Sequence, residues 1–582
     1  MRWGGERPQR ECYQFTWPDK SKARAIANAP IKATLRPCRE ESVDFDNTEN
    51  LYIEGDNLDV LKLLRETYYG KIKMIYIDPP YNTGNDFIYE DDFSQDRESY
   101  KNISGQYDEE GNRLQKNPES NGRFHTDWLN MMYPRLKIAR DLLSDDGVIF
   151  ISIDDNEQSN LKKICDEIFG ERNFISQIVW ERAFAPINLK KHFSNCHDYI
   201  ICYSKSIDIT ICNGLPRCIE SDSRYSNPDN DPRGVWQSDN ATVGPAIPSK
   251  VYELELPSGR KILPPSGRCW LYTKNRFQEM ISDNRVWFGI KGDNVPRVKR
   301  FLSEVKEGMT PMTIWKYSEV GHSQEATQKL KDLFDDGDFF DYPKPVKLVE
   351  RCCQLYSSND SLILDFFSGS ATTAHAVMKL NAEDGGHRKF IMVQLPEACS
   401  EDSEAYKAGY KNICEIGKER IRRAGKKILE EKKIAKGDLF AEDKPDLDVG
   451  FRVLKLDTSN MKKVYYMPYD LDKADIEGLI SNIKEDRTAE DLLFQVMLDL
   501  GVVLSSKIET EVIHGKQVFN VNHGYLMACF DENINEDVIT EIAKKKPVFY
   551  VMRDSSVECD NVMVNFDQIF DRYSPDTKRK VI

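Results

Sequence analysis

The chain has 582 residues, 40% hydrophobic, 30% charged and 10% aromatic, with 32 Gly and 26 Pro; this excludes fibrous, low-complexity and disordered classes and leaves room for two to four packed units. Its longest apolar runs, residues 147–153 and 199–203, fall well short of the roughly 20 residues of a spanning helix, and MRWGGERPQR at the start carries no apolar signal core, so a cytoplasmic protein with no membrane partner is expected. The 81 Lys+Arg against 96 Asp+Glu give a net charge of −15, yet residues 181–320 hold 20 against 16, and because polyanion binding depends on local surface charge, nucleic acid stays among the candidate partners.

Residues 1–48 are rich in Arg, Lys and Pro without sustained periodicity and read as an N-terminal arm. A helix follows at about 57–68, with Leu58, Leu61 and Leu64 on one face, then the strand-like run at 72–77, which stops at Asp78-Pro79-Pro80. The long polar stretch at about 85–122 reads as a lid, a binding loop or a disordered segment. A helix at 126–143, a strand at 147–153, a helix at 156–168 and strands near 174–181 and 198–203 continue an α/β alternation that implies a parallel sheet.

From about 205 to 315 the alternation gives way to short segments broken by Pro and Gly, the pattern of an inserted, β-rich domain. It resumes with a helix at 344–356, a strand at 361–366, a helix from Ala371 and a strand at 389–394, so that residues 49–204 and 316–435 form two halves of one sheet. A basic helix around 418–427, an acidic linker at 436–443 and strand-like and helix-like runs between 444 and 582 complete the chain, the last expected to be a small α/β domain serving assembly. The 14 cysteines lack a C-x-x-C pair and read as reduced thiols. His192, Cys196, His197 and Cys202 cluster without the usual ligand spacing, so no metal is expected.

Two segments carry chemistry. Asp78-Pro79-Pro80-Tyr81 follows an apolar strand directly. The exocyclic amine of adenine is a poor nucleophile because its lone pair is delocalised into the ring. A carboxylate on one amine hydrogen and the Pro79 carbonyl on the other would aim that lone pair at an electrophile, while the diproline holds the turn and Tyr81 offers a stacking face. The second segment, Asp365-Phe-Phe367-Ser-Gly369-Ser370, runs from a strand through a small-residue turn into a helix, where a ligand can approach the backbone. It is not a phosphate-binding P-loop, since no G-x-x-x-x-G-K-[ST] occurs in the chain.

In this order the pair resembles the S-adenosylmethionine-dependent amino-methyltransferases of DNA with permuted motifs, and more narrowly the modification (Mod) subunits of type III restriction-modification systems. Supporting stretches lie at residues 50–58, 76–84, 147–156, 340–345 and 362–370. The resemblance implies a Rossmann-like α/β methyltransferase fold with residues 205–315 as target-recognition insertion, and S-adenosyl-L-methionine as methyl donor. It implies that Asp78, Pro79, Pro80 and Tyr81 hold a flipped adenine in double-stranded DNA. Asp365, Phe367, Gly369 and Ser370 would line the cofactor, Phe340, Pro343, Lys344 and Pro345 would close over its methionine end, and Asp56 would lie nearby. Two positions depart from the pattern: Ala371 replaces the second glycine of the turn, and Gln394 replaces the acidic residue that would bind the ribose hydroxyls, a role its amide can still fill by hydrogen-bonding a hydroxyl. Asp78, where cytosine-N4 enzymes of that family typically carry Ser, favours adenine N6. A homodimer and a separate ATP-driven restriction subunit are implied as partners; methylation of adenine in RNA, or a non-catalytic DNA-specificity subunit, are the alternatives. In the insertion, Arg297, Lys299 and Arg300 form the most basic run and are expected to contact DNA phosphates.

Overall fold

Strands that read as unbroken apolar runs need helices on both faces, because neither side of such a strand tolerates water. The computed structural model, described over residues 14–84, 87–89, 114–116, 123–186, 191–217, 222–305, 308–436, 447–462, 482–556 and 560–582, builds that arrangement around a ten-stranded sheet. Its order is Ala33–Val43, Phe451–Thr458, Leu51–Glu54, Lys389–Gln394, Leu362–Asp365, Ile72–Ile77, Leu143–Ile153, His197–Ser204, Phe174–Glu181 and Ile314–Trp315. The six strands from Phe451–Thr458 to Leu143–Ile153 are parallel. Alternation along Ile72–Ile77 sends Ile75 and Ile77 into a core with Leu58, Leu61 and Leu64 of the helix Asn57–Tyr68 and Trp128 of the helix Phe124–Leu142. The opposite face is covered by the helices Val346–Tyr356, Thr372–Asp384 and Ile413–Lys436, which pack on one another in series.

Leu362–Asp365 and Ile72–Ile77 are neighbours in the sheet, yet the chain leaves them in opposite directions, one towards Lys389–Gln394 and the other towards Leu143–Ile153. Such a reversal opens a crevice beyond the carboxyl ends of the strands, where doubly wound sheets bind their ligands. Asp365 and Asp78 sit at those two ends.

Several boundaries differ from the sequence-based expectations. The residues taken as an N-terminal arm include the edge strand Ala33–Val43, which pairs antiparallel with Phe451–Thr458. That partner, expected to open a separate C-terminal domain, is itself an interior strand of the large sheet, parallel to Leu51–Glu54. Periodicity could not reveal this, because a strand's partners are chosen by tertiary packing. A second sheet, Ile508–Ile513, Lys516–Val521, Leu526–Cys529, Phe549–Met552 and Lys578–Val581, lies in the same compact unit. Of the polar stretch at 85–122, only the short strands Phe87–Tyr89 and Leu114–Lys116 fall within the described residues, and the linker at 437–443 lies outside them.

The second compact unit is Asn213–Pro311, somewhat shorter than the insertion expected over 205–315. It carries 15 Lys+Arg against 12 Asp+Glu in a chain of net charge −15. Its core is built from Trp270, Phe277, Leu254 and Leu256 beside a three-stranded sheet of Val286–Trp287, Arg297–Phe301 and Trp236–Asn240. The phosphate-contact expectation is corrected at Lys299. Lys299 and Phe301 take the buried face of the strand and Arg300 the exposed one, while Arg297, at the strand's first position, stays exposed although it shares the face of Lys299; Lys299 is 2% exposed, and its ammonium pairs with Asp229 and, at 3.1 Å, with Asp231. Arg300 pairs with Asp239 at 2.7 Å on the surface.

Candidate active site

The turn after Ile72–Ile77 is pinned from outside itself. Trp128 Nε1 donates to the Pro80 carbonyl at 2.8 Å. Asn82 adopts a left-handed backbone, φ 59°, which Asn tolerates better than most residues, and its Nδ2 donates to Glu157 Oε1 at 2.6 Å. Glu157 is buried and also meets His125 Nδ1 at 2.6 Å and Asn160 Nδ2 at 2.8 Å. Diproline rigidity and these bonds together fix where Asp78 and Tyr81 point.

Asp78 is contacted by a residue expected elsewhere. Lys344 Nζ donates to Asp78 Oδ2 at 2.5 Å and lies 4.9 Å from the centroid of the Tyr81 ring. Asp78 Oδ1 and the Tyr81 hydroxyl are buried and have no hydrogen-bond partner among the described residues. Burial, then the carboxylates of Asp78 and Asp198, push the Tyr81 hydroxyl well above its ordinary value. Asp198 opens the strand His197–Ser204, and its Oδ1 lies 2.9 Å from Arg182 Nε. Burial pushes the Asp198 carboxyl up to about 6, with Arg182 and Lys344 opposing the shift.

On the neighbouring strand, the Asp365 carboxylate is spent on its own turn: Oδ1 accepts from the Phe367 backbone at 3.1 Å and Oδ2 from the Thr373 hydroxyl at 2.6 Å. Burial raises Asp365 to about 7. Gly369 has φ +49°, and a Cβ there would lie 3.1 Å from Phe340 Cζ, so the aromatic ring packs directly on a bare backbone. Ala371 also takes a left-handed conformation, φ 62°, where the resembling pattern has glycine. Ser370 Oγ and Thr372 Oγ1 each accept from Arg420 Nη1 at 2.7 Å, and Arg420, buried on the helix Ile413–Lys436, forms no ion pair among the described residues. Gln394 Oε1 accepts from the Gly369 backbone at 2.6 Å, which places Gln394 under the turn as its brace.

Asp56 caps the helix Asn57–Tyr68, accepting from the Asp59 backbone at 3.1 Å. Beside it Asn57 joins the two halves of the sheet, donating to the Phe366 carbonyl at 2.7 Å and accepting from buried Arg135 at 2.6 Å. Pro343 and Pro345 are buried and flank Lys344, with Pro345 preceding the helix Val346–Tyr356. The structure thus brings Asp78, Tyr81 and Lys344 together, and separately Phe340 with the Gly369 turn. Arg297, Lys299 and Arg300 belong to the other compact unit. Sequence reasoning missed Trp128, Glu157, Asp198 and Arg420; each touches the site from a distant segment whose only local signal is its own helix or strand pattern.

The residues of the turn suit a heteroaromatic cofactor with a polar tail: the bare backbone at Gly369, the Phe340 ring and the helix N-terminus at Thr372 offer apolar and donor surfaces at one place. Residues 72–424 match a family described as DNA methylase. The Mod subunit of the StyLTI type III restriction-modification enzyme of Salmonella typhimurium is 37% identical over 73% of this chain and 65% of its own length. The EcoPI Mod subunit of Escherichia phage P1 is 35% identical over 72% of this chain and 69% of its own, and the EcoP15I Mod subunit of Escherichia coli 32% identical over 72% and 70%. The chain therefore spans about two-thirds of the length of the curated relatives it matches.

Proposed function

The chain belongs to the DNA methylase family of N6- and N4-amino methyltransferases, and from that membership and the site geometry we propose that it transfers a methyl group from S-adenosyl-L-methionine to adenine N6 in duplex DNA, as the modification subunit of a type III restriction-modification system. The observation that carries the reading is the placement of Asp78 and Asp365 at the carboxyl ends of adjacent parallel strands where the sheet reverses its winding. One end holds the Asp78 carboxylate and the Tyr81 ring, both in contact with the Lys344 ammonium, and the other a glycine turn.

The methyl donor, when bound, supplies an electrophilic sulfonium methyl. Phe340, Gly369 and Ser370 would hold it, with Asp365, Thr373, Gln394 and Arg420 keeping the turn in shape. Asp78 accepts one hydrogen of the adenine amine and the Pro79 carbonyl the other, and Tyr81 stacks on the ring. Asp78 would take up the proton that the amine gives up as it is methylated. The chain contributes position and electrostatics, with no covalent intermediate. Extruding the base costs a few kcal/mol, and stacking of about 1–3 kcal/mol per base on Tyr81 offsets part of it.

The unit Asn213–Pro311 reads the target sequence in this proposal, supported by its positive balance within an acidic chain. The relatives' designation as Mod subunits of restriction-modification enzymes supports a partnership with a restriction subunit; the homodimer and the ATP-driven character of that partner are carried by the family resemblance alone. Tritium transfer from S-adenosylmethionine to duplex DNA and to RNA tests the central claim: label in duplex DNA as N6-methyladenine is expected, and label only in RNA, or none, would overturn it.

A further inference from the structure

Lys344 stands where the methyl-accepting amine has to stand. A flipped adenine that stacks on Tyr81 and donates to Asp78 needs two contacts, and the lysine ammonium makes both, at 4.9 Å from the ring centroid and 2.5 Å from Asp78 Oδ2. The side chains of Lys344 and Asp78 are 12% and 26% exposed, so the pair is largely out of water and is not screened as a surface pair is. Asp78 Oδ1 and the Tyr81 hydroxyl receive no hydrogen bond, which leaves Lys344 as the side-chain donor to this carboxylate among the described residues. A poorly hydrated carboxylate with no donor at all is costly. An ammonium has three hydrogens and no lone pair, so it can fill an amine's place without acting as a base. Its backbone is held between Pro343 and Pro345, both buried, while the four-carbon stem is free to rotate.

We propose that Lys344 is a positioning residue that occupies the target amine's place on Asp78 until a base enters, and then yields it. Base entry is then an exchange of donors on one carboxylate oxygen, and the lysine holds the empty pocket in shape at the expense of raising the barrier to entry. The proposal rests on the adenine-methyltransferase reading of this site. It differs from what the resemblance implied for Lys344, a place at the methionine end of the cofactor.

The recognition sequence is first read by methylation-aware sequencing of DNA from cells expressing the protein. A duplex with that site and 2-aminopurine beside the target adenine then reports loss of stacking when the adenine leaves the helix. Full-length wild type, Lys344→Met and Lys344→Gln are compared at saturation, without cofactor, after matched thermal melts. Removing the placeholder should shift the flipped-to-stacked ratio towards flipped by roughly tenfold in Lys344→Met, the scale of one hydrogen bond to a charged group, and by less in Lys344→Gln, which keeps a neutral donor. A lysine that only supports the fold, or only attracts DNA, would lower the ratio or binding when removed. An unchanged or lower ratio in Lys344→Met overturns the proposal; if that variant melts early, an unchanged or lower ratio in Lys344→Gln does so. Failure of the underlying reading shows separately, as absence of any methylated site or tritium transfer with the wild type.

Discussion

Asp365 and Thr373 close the turn between the strand Leu362–Asp365 and the helix Thr372–Asp384: the carboxylate at the strand end accepts from the hydroxyl in the first helical turn at 2.6 Å. The bond leaves the residues between them, Phe366 to Thr372, as a short arch whose backbone faces the crevice. Burial raises the Asp365 carboxyl from 3.8 to about 7 in the folded chain. Between those values the folded chain keeps a proton that the unfolded chain has released, so this group's contribution to stability declines as pH rises from about 4 to about 7 and is fully unfavourable above that. Asp365→Asn mimics the neutral acid. Thermal melts from pH 5 to pH 8 should show the wild type losing a few degrees more than the variant, roughly as expected for a change of a few kcal/mol in a chain of this size. Parallel melting curves across that range would rule out the buried titration.

Asp78→Ala should abolish methyl transfer, by a factor of at least about 10² given what a single preorganised electrostatic contact contributes, while the thermal midpoint stays close to that of the wild type. The side chain is 26% exposed, and Lys344, its side-chain donor among the described residues, has a flexible four-carbon stem by which its ammonium can reach solvent once released. Filter assays of tritium transfer, run beside isothermal titration with S-adenosylmethionine, separate the two effects. Turnover at the wild-type rate would remove Asp78 from the chemistry.

The two chemical segments were legible because each is contiguous: Asp78 to Tyr81 ends one apolar strand and Asp365 to Ser370 ends another, and such strand-to-turn junctions are local features. The strands at 72–77, 174–181 and 389–394 fall where their apolar runs place them. What stayed hidden is long-range. Nothing near Lys344 in sequence reveals that its ammonium meets Asp78, 266 residues away. Gln394, read as a ribose ligand that departs from the resembling pattern, spends its carbonyl oxygen on the Gly369 backbone. The edge strand Ala33–Val43 hid among Arg, Pro and Glu, since one of its sides faces solvent and shows no apolar run.

Lys299 and Arg300, adjacent in sequence, should behave oppositely. Lys299→Ala leaves Asp229 and Asp231 without their shared cation in a buried setting, and truncating one partner of such a pair typically costs about 3–5 kcal/mol. Arg300→Ala removes an exposed pair with Asp239, worth about 0–1 kcal/mol. If Arg300 contacts a phosphate, its loss weakens DNA binding similarly on every sequence and lowers the salt slope by about one unit. Chemical unfolding together with binding titrations at several salt concentrations reads both effects; a Lys299→Ala protein of normal stability would return that residue to the surface.

A chain cut at residue 443 should fail to fold. The cut looks benign from sequence, since it falls in an acidic linker ahead of an expected assembly domain. The strand Phe451–Thr458, however, lies between Ala33–Val43 and Leu51–Glu54 in the large sheet, so its removal takes a ladder from both neighbours and uncovers buried Leu51 and Ile53 on one face of the new sheet edge and Tyr52 on the other. Buried Arg452 ties that strand outward in both directions, donating to the Phe45 carbonyl at 2.6 Å and to the Leu504 and Ser506 carbonyls at 2.9 Å. Beyond it, Asp491 at the start of the helix Ala489–Asp499 holds Arg36 of the edge strand at 3.0 Å. Bacterial expression followed by solubility and circular dichroism melting is the check, with insoluble or non-cooperative protein expected. A truncated protein that stays soluble and melts cooperatively would show the last 139 residues to be separable after all, and light scattering of that product beside the full chain would then test whether the proposed dimer needs them.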